Sequence, residues 1–498
     1  MKLTASLALL VFLVNCGIDS DKEIPVAMPS SGPIQLHPDN SHYFLYKGKT
    51  MALITSAEHY GAVLNLGFDY ETYLKTLAAD GMNYTRVFTG TYFEIPGESF
   101  SIQNNTLAPL EGRTITPWQQ ISDGSESEKY DLSVWNTEYF SRLSDFITLA
   151  QSLDIMVEVT LFTSIYRDEH WDISPQNPDN NVNISHAIDR KEAQTLNNGE
   201  LLGYQEALVR KLVQELNDFD NVFFEIQNEP WADRPVAVYN IINSEDLKPG
   251  DWTFKSDFAD QASIDWHDRL IDVIVQEEAR LEKKHLIAQN YTNFKAPIPY
   301  VNEHVSIINF HYAWPEAAEW NYHYNKVIGF DESGFAGSAD QVYRRQAWRF
   351  MFSGGGLFNN LDYSFYVGHE DGTGENQAPG GGSAELRKQL KILSDFLHSF
   401  ELEKLQPDKV SVLRSPGLIP YVLSDRPHAY AIYLRVIGTE QAELDLNTGA
   451  GSFQVVALDP VTGSYSELGI TEAKNGVLSL ALQAPKGEIA LKITRREQ

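Results

Sequence analysis

Cysteine is almost absent. The 498 residues contain one, Cys16, which excludes an intramolecular disulfide and any zinc site built on several thiolates. Positive charge is scarce as well. With 39 Lys and Arg against 68 Asp and Glu, the formal net charge is −29; such a surface repels phosphate backbones and anionic lipid, so no nucleic-acid partner is expected. Past the N-terminus no apolar run approaches the roughly 18 residues of a membrane-crossing helix. A glycine-rich phosphate loop is missing after the first strand pattern, where Ser56-Ala57-Glu58-His59-Tyr60 stands instead. There is no serine nucleophile elbow, no pair of histidines at helical spacing beside a glutamate, and Asp371 to Glu375 lacks EF-hand spacing. The reading is therefore of a protein with no metal and no nucleotide or nicotinamide cofactor. Aromatic residues are plentiful at 12%, with 24 Tyr and 9 Trp, a supply suited to stacking on flat apolar ligand faces.

The N-terminus begins with a cationic Met1-Lys2 and continues as a mostly apolar stretch from Leu3 to Leu13. It is too short for a mature membrane span and reads as a removable signal peptide, residues 1–15. The ending Leu13-Val14-Asn15-Cys16 resembles a bacterial lipobox. That resemblance implies acylation of Cys16, a tether over residues 16–32 and a place in the bacterial cell envelope, at the periplasmic or outer face of the outer membrane. Contact with the membrane would then be through lipid alone. An ordinary secretory signal with a chance cysteine is the alternative.

From residue 33 to about 403, short apolar runs alternate with helical periodicity. Strand-like runs fall at Met51 to Ile54, Asn83 to Phe88, Ile155 to Phe162, Val222 to Ile226, Leu286 to Ala288, Val305 to Phe310, Val327 to Phe330 and Leu357 to Leu361. Helical spacing appears at Phe68 to Asp80, Tyr139 to Leu153, Leu201 to Leu216, Ile264 to Leu281, Val342 to Phe352 and Ala384 to Phe400, and no clear helix fits between Tyr291 and His304. Eight such repeats predict an α/β fold, a (β/α)8 TIM barrel. The connections after strands two, three and four are long, which is where a barrel builds its site. Past Gln406 the texture changes to short strands with turn chemistry such as Asp459-Pro460-Val461-Thr462-Gly463. Residues 404–498 therefore read as a separate all-β sandwich, packed on the barrel.

The strongest local signal is Glu225-Ile226-Gln227-Asn228-Glu229-Pro230 at the end of strand four, with Trp231 following. A second carboxyl, Glu332, ends strand seven in Phe330-Asp331-Glu332-Ser333-Gly334. Strands four and seven lie across a barrel of eight, so these carboxyls can face each other over a cleft. Glycoside cleavage needs one carboxylic acid to protonate the leaving oxygen and a second carboxylate to attack or to activate water. Asn228-Glu229-Pro230 and Glu332 resemble the acid/base and nucleophile motifs of clan A glycoside hydrolases, closest in style to the cellulase-like family 5 or a sister family. The resemblance spans about His37 to Phe400. It implies a retaining hydrolase of β-linked polysaccharide or oligosaccharide, with Glu332 as nucleophile and Glu229 as acid/base. Long loops with several Trp favour an endo-acting groove. The alternatives are an exo-acting β-glycosidase of the same clan and a surface glycan-binding lipoprotein without activity.

The same resemblance extends to other positions. Arg86, ending strand two, matches the clan's arginine that hydrogen-bonds the nucleophile, and Asn228 the residue that binds the sugar 2-hydroxyl. His311 and Tyr312 end strand six side by side, whereas family 5 members commonly separate them by one residue; His311 is preferred and Tyr312 is open to a packing role. In place of the usual strand-eight Trp stand Asn360 and Asp362, candidates for sugar hydroxyls. His59 after strand one is a candidate cleft residue. Trp118, Trp171, Trp231, Trp252 and Trp314 fall in or beside loops as stacking candidates, and Trp135, Trp266 and Trp348 fall in helix patterns as core. The tail, with Ala429 to Leu434 and Ala457 to Gly463, resembles the small β-domain that follows certain Bacteroidetes-type barrel hydrolases.

Overall fold

The computed structural model describes residues 32–122, 128–239, 255–375, 380–437, 441–483 and 487–496. The signal segment, Cys16 and Trp252 lie outside the described residues. Eight parallel strands form the barrel: β1 (Leu53–Ala57), β2 (Tyr84–Phe88), β3 (Met156–Thr163), β4 (Val222–Asn228), β5 (Ile287–Asn293), β6 (Ile307–His311), β7 (Val327–Ser333) and β8 (Leu357–Leu361). Their hydrogen-bonded order is β1-β8-β7-β6-β5-β4-β3-β2. The seam between β1 and β2 is closed by a side chain. Asn83 Oδ1 accepts the Ile54 N–H at 2.8 Å while its amide donates to Ala52 O at 2.9 Å, standing in for a strand partner.

Helices α1 (Tyr70–Ala79), α2 (Thr137–Ser152), α3 (Leu201–Leu216), α4 (Gln261–Glu278), α5 (Pro315–Asn321), α6 (Asp340–Met351) and α7 (Ala384–His398) ring the strands. Asp69 caps α1 by accepting the N–H groups of Glu71 and Thr72, and Gly81 ends it at φ 78°. No helix joins β5 to β6, as the sequence indicated. The seven-residue α5 escaped the periodicity because it makes barely two turns.

The barrel interior is layered. At the bottom, Leu53, Tyr84, Met156, Phe223, Ala288, Ile307, Val327 and Leu357 contribute one apolar side chain per strand, plugged from below by Phe44 and Tyr46 of an N-terminal hairpin. Two residues along each strand, on the same face, come Thr55, Arg86, Glu158, Glu225, Asn290, Asn309, Gly329 and Asn359, and all are buried. Gly329 is required there, because a Cβ would lie 2.1 Å from Asn309 Oδ1.

The C-terminal region is a two-sheet sandwich. Its strands are β9 (Gln406–Pro407), β10 (Val412–Arg414), β11 (Leu418–Asp425), β12 (Ala429–Val436), β13 (Gln441–Asn447), β14 (Gly451–Leu458), β15 (Tyr465–Ala473), β16 (Val477–Gln483) and β17 (Glu488–Arg495). One sheet runs β9-β11-β12-β17-β14-β15 and the other β10-β13-β16. The larger sheet is covered on both faces. Ile432, Phe453 and Leu491 meet Leu444 and Leu480 of the other sheet, whereas Leu423, Tyr433 and Leu458 join the barrel core. Tyr433 stacks on Trp348 of α6 with ring centroids 5.2 Å apart. From the same helix Arg344 and Arg345 pair with buried Glu488 at 2.5 and 3.2 Å, and Arg349 donates to Tyr421 at 2.9 Å.

Candidate active site

Two strand ends deliver carboxyls to the C-terminal mouth of the barrel. β4 stops at Asn228, and Glu229 follows with a left-handed backbone at φ 49°, a conformation that non-glycine residues hold only where their surroundings enforce it. The restraint is visible: Ser164 Oγ donates to Glu229 O at 2.6 Å, and Glu229 N donates to Asn290 Oδ1 at 3.3 Å. β7 brings Glu332 to the opposite side, where it is 6% exposed. One oxygen of Glu229, one of Glu332 and a ring nitrogen of His311 lie within 4.8 Å of one another.

The two carboxyls have different neighbours. Glu229 accepts from Tyr166 at 2.9 Å and faces His311 Nδ1 at 2.9 Å. Glu332 accepts from Tyr312 at 2.7 Å, and lies 3.5 Å from His311 Nδ1 and 3.6 Å from Arg86 Nη1. Burial raises the Glu332 pKa above its ordinary value, His311 and Arg86 act against that rise, and Glu229 adds to it. His311 is buried too, which disfavours its charged form, but Glu332 and Asp331 raise its pKa well above the usual value. Both of its ring nitrogens face acids, Nδ1 toward Glu229 and Glu332 and Nε2 toward Asp331 at 3.5 Å.

Beneath this pair lies the polar layer. Arg86 is fully buried, with its guanidinium paired to Glu225, 3.3 Å from Asp331, and stacked over Tyr60 at 4.7 Å. Asn309 donates to Glu158 at 2.8 Å and Tyr84 donates to the same carboxyl. Burial pushes Glu158 well above the carboxylate range, and Glu225 up to about 7; Asp331, although buried, is held below its ordinary value by His311 and Arg86. A desolvated interior tolerates ionised carboxyls only as far as cations match them, and Arg86 is the fixed cation here, with the raised His311 ring beside it. Two groups present three metal-ligating atoms within 4.8 Å, namely Glu229, His311, Glu332 and Glu158, Glu225, Asp331. The second encloses the Arg86 guanidinium where a metal ion would sit; in the first the His311 ring is itself one of the three groups.

Several sequence expectations change here. His311 and Tyr312 both reach the carboxyls. Neighbours on a strand normally point to opposite faces, but the β6–β7 register shifts between Phe310 and His311, and Tyr312 turns left-handed at φ 52°. Asn360 and Asp362 do not serve the cavity. Asn360 binds Ser56 and Ser333, and Asp362 accepts from Ser56, Ser364 and Arg387, all inside the wall. Trp231 and Trp314 do not line the cavity either. Trp231 packs edge-on against His311 with centroids 5.5 Å apart, and Trp314 carries Lys295 over its ring at 4.1 Å. Trp118 and Trp171 are buried in the barrel core, along with Trp266 and Trp348, while Trp135 is half-buried against it. Arg86 sits beneath Glu332, but its nearest partners are the acids of the layer below. His59 and Asn228 line the cavity.

The cavity is a pocket of about 50 Å3, far below the roughly 300 Å3 of ordinary small-ligand sites. The loop after β2 folds over it with Tyr92, Glu94, Phe100, Ile102 and Leu107, and Tyr166 and Phe335 close the other sides. Tyr166 and Glu94 gave no motif in the sequence. The acids below did leave a signal, single charges inside apolar strands at Val157-Glu158-Val159 and Phe224-Glu225-Ile226.

No known family profile matches the chain, and no curated protein does. Among solved structures the architecture is similar to that of glycoside hydrolases. A candidate glycoside hydrolase from Bacteroides vulgatus ATCC 8482 aligns with TM-score 0.64 and 15% identity over 93% of this chain and 82% of that one. A family 5 glycoside hydrolase from the same organism aligns at 0.60 and 12% over 93% and 94%. A further glycoside hydrolase aligns at 0.57 and 11% over 94% and 98%. At such identities the likeness is one of fold, a TIM barrel carrying a C-terminal β-domain.

Proposed function

We propose that the protein is a retaining glycoside hydrolase acting on a β-linked carbohydrate, with Glu332 as nucleophile and Glu229 as acid/base. The observation that carries this reading is the facing pair, with an oxygen of each carboxyl within 4.8 Å. Inverting enzymes hold their carboxyls roughly 6.5–9.5 Å apart to admit a water between them, and retaining enzymes about 5–5.5 Å. The roles follow from the neighbours. Arg86 and the Tyr312 hydroxyl favour an anion at Glu332, as attack on an anomeric carbon requires, while His311 is shared between the two carboxyls. Glu229 is the more exposed, at 13% of its side chain against 7%, on the side open to a leaving group. It first protonates the departing oxygen and then takes a proton from the water that frees the sugar. Asn228 Oδ1, buried and without a hydrogen bond among the described residues, is placed to accept from the sugar 2-hydroxyl.

The loop after β2, folded over the carboxyl pair, favours action at a chain end over the open groove suggested by the long loops. Acylation at Cys16 and attachment to the outer membrane complete the proposal, resting on the N-terminal sequence; transfer of the chain, but not of Cys16→Ser, into the detergent phase on phase separation tests it. The activity is tested with 4-nitrophenyl β-glycosides and with β-glucans, mannans, xylans and galactans. Expected are hydrolysis lost in Glu332→Gln, single sugars as the first products, and a β-configured first product by NMR. An α-configured first product sinks the retaining mechanism, and internal cleavage sinks the chain-end reading.

A further inference from the structure

Glu94 is a buried carboxyl in the wall of the catalytic pocket, contributed by the loop after β2 and 4% exposed. Its protein partners are Tyr92, which donates to Oε1 at 3.1 Å, and Asn105, which donates to Oε2. No ion pair reaches it among the described residues. Burial lifts its pKa from 4.5 to about 7; once ionised it offers about four acceptor positions, so half its capacity is unused in a place where water is largely excluded.

The rest of the wall has the same polarity. Asn105 spends its N–H on Glu94, so its Oδ1 is the acceptor that takes Leu107 N–H at 2.9 Å and faces His59 Nδ1 at 3.0 Å. His59 must therefore carry its proton on Nδ1 and present Nε2 as an acceptor. The hydroxyls of Tyr60, Tyr92, Tyr166 and Tyr312 already donate to Asp331 O, Glu94, Glu229 and Glu332. The Asn228 amide donates to Tyr166 and leaves Oδ1 without a partner. Apart from the general acid Glu229, the atoms left open on Glu94, His59 and Asn228 accept hydrogen bonds.

We propose that Glu94 is a substrate-binding residue that accepts from hydroxyls of the ring held between Glu229 and Glu332, and that with His59 Nε2 and Asn228 Oδ1 it makes an acceptor wall selecting an uncharged, hydroxyl-bearing ring over an anionic one. This rests on the glycosidase reading above. A ring carboxylate or sulfate held against these three groups would meet lone pairs and add a charge beside Glu94; Arg167, the cation whose charge acts on Glu94, is exposed and lies over the Phe100 ring at 5.3 Å.

The test compares kcat/KM of the full chain and of Glu94→Gln on matched pairs, 4-nitrophenyl β-glucoside with β-glucuronide and β-galactoside with β-galacturonide, and on β-linked oligosaccharides with and without uronic acids. The wild type is expected to favour the neutral member at least about 100-fold. Glu94→Gln is expected to lose about 10- to 100-fold on neutral substrates and to narrow the neutral-to-acidic ratio, since it replaces an acceptor by a donor. Should Glu94→Gln fail to fold, inhibition of the wild type by glucose and by glucuronate replaces it, with glucose the stronger inhibitor. Equal rates on neutral and acidic members, with activity still lost in Glu332→Gln, overturn the acceptor wall and leave the glycosidase standing. An unchanged ratio in folded Glu94→Gln reduces Glu94 to a loop tie and overturns its substrate role. No hydrolysis of any glycoside overturns the glycosidase reading and this inference with it.

Discussion

The bottom and middle layers of the barrel interior are two residues apart on the same strands, yet they are built from opposite chemistry. The bottom layer is apolar apart from the Tyr84 hydroxyl, which reaches Glu158 above it, and is sealed by Phe44 and Tyr46. The middle layer holds Arg86, Glu158, Glu225, three asparagines, a threonine and a glycine. Burying apolar area stabilises the fold at roughly 25 cal/mol per Å2, and the bottom layer does this with little else to its credit. The middle layer gains far less, because desolvation offsets most of what its ion pairs return. What it provides is a rigid, charged floor directly under Glu332 and His311. Stability and chemistry are thus separated along the barrel axis.

Perturbing each layer sharpens that division. Arg86→Met is expected to have the largest effect. It leaves Glu225 and Asp331 without their guanidinium, at a cost of about 3–5 kcal/mol, and also removes the cation beneath Glu332, so both the melting temperature and kcat fall. Phe223→Ala empties part of the bottom layer, about 20 Å below Glu229 along β4. It is expected to destabilise by about 3–5 kcal/mol with kcat of the folded protein unchanged. Denaturant unfolding beside initial rates checks both variants; a Phe223→Ala variant that loses kcat breaks the division.

A smaller effect is expected from pH. Glu58, buried after β1, accepts from Gly61 N, Ala62 N and Thr106, and burial lifts its pKa from 4.5 to about 7. Between about pH 4.5 and 7 the folded protein therefore holds more protons at this group than the unfolded chain does. Its contribution to stability is full below that window and is lost as pH rises through it. Melting curves from pH 5 to 8 are expected to show a shallower decline in Glu58→Gln than in the wild type; parallel declines contradict the assignment.

The barrel was legible because the outward-facing residues of its strands are apolar almost without interruption, as in Val157 and Val159 of β3 or Ile328 and Phe330 of β7. Glu229 and Glu332 were legible because each closes a strand with a short, specific motif. In the sandwich, β11 carries a weak strand signal because Pro420 sits inside it, tolerated near an edge that β9 pairs only at Leu423 and Ser424. β15 carries one too, because it is an edge strand with Tyr465, Leu468 and Ile470 turned to solvent. The sequence alone did not reveal the pocket wall. Glu94, Asn105 and Tyr166 come from long loops whose path depends on tertiary contacts rather than on period. Tyr312 was ambiguous for a different reason, since a left-handed residue lets neighbours point the same way and no periodicity registers it.

The central claim is that Glu332 attacks the sugar. It is tested most directly by incubating the protein with 2-deoxy-2-fluoro β-glycosyl fluorides of the sugars it hydrolyses and mapping the product by peptide mass spectrometry. The account predicts one fluorosugar per chain, attached to Glu332, with no adduct in Glu332→Gln. Turnover of the parent glycosides with an adduct on Glu229 or Glu94, or with none at all, would contradict it.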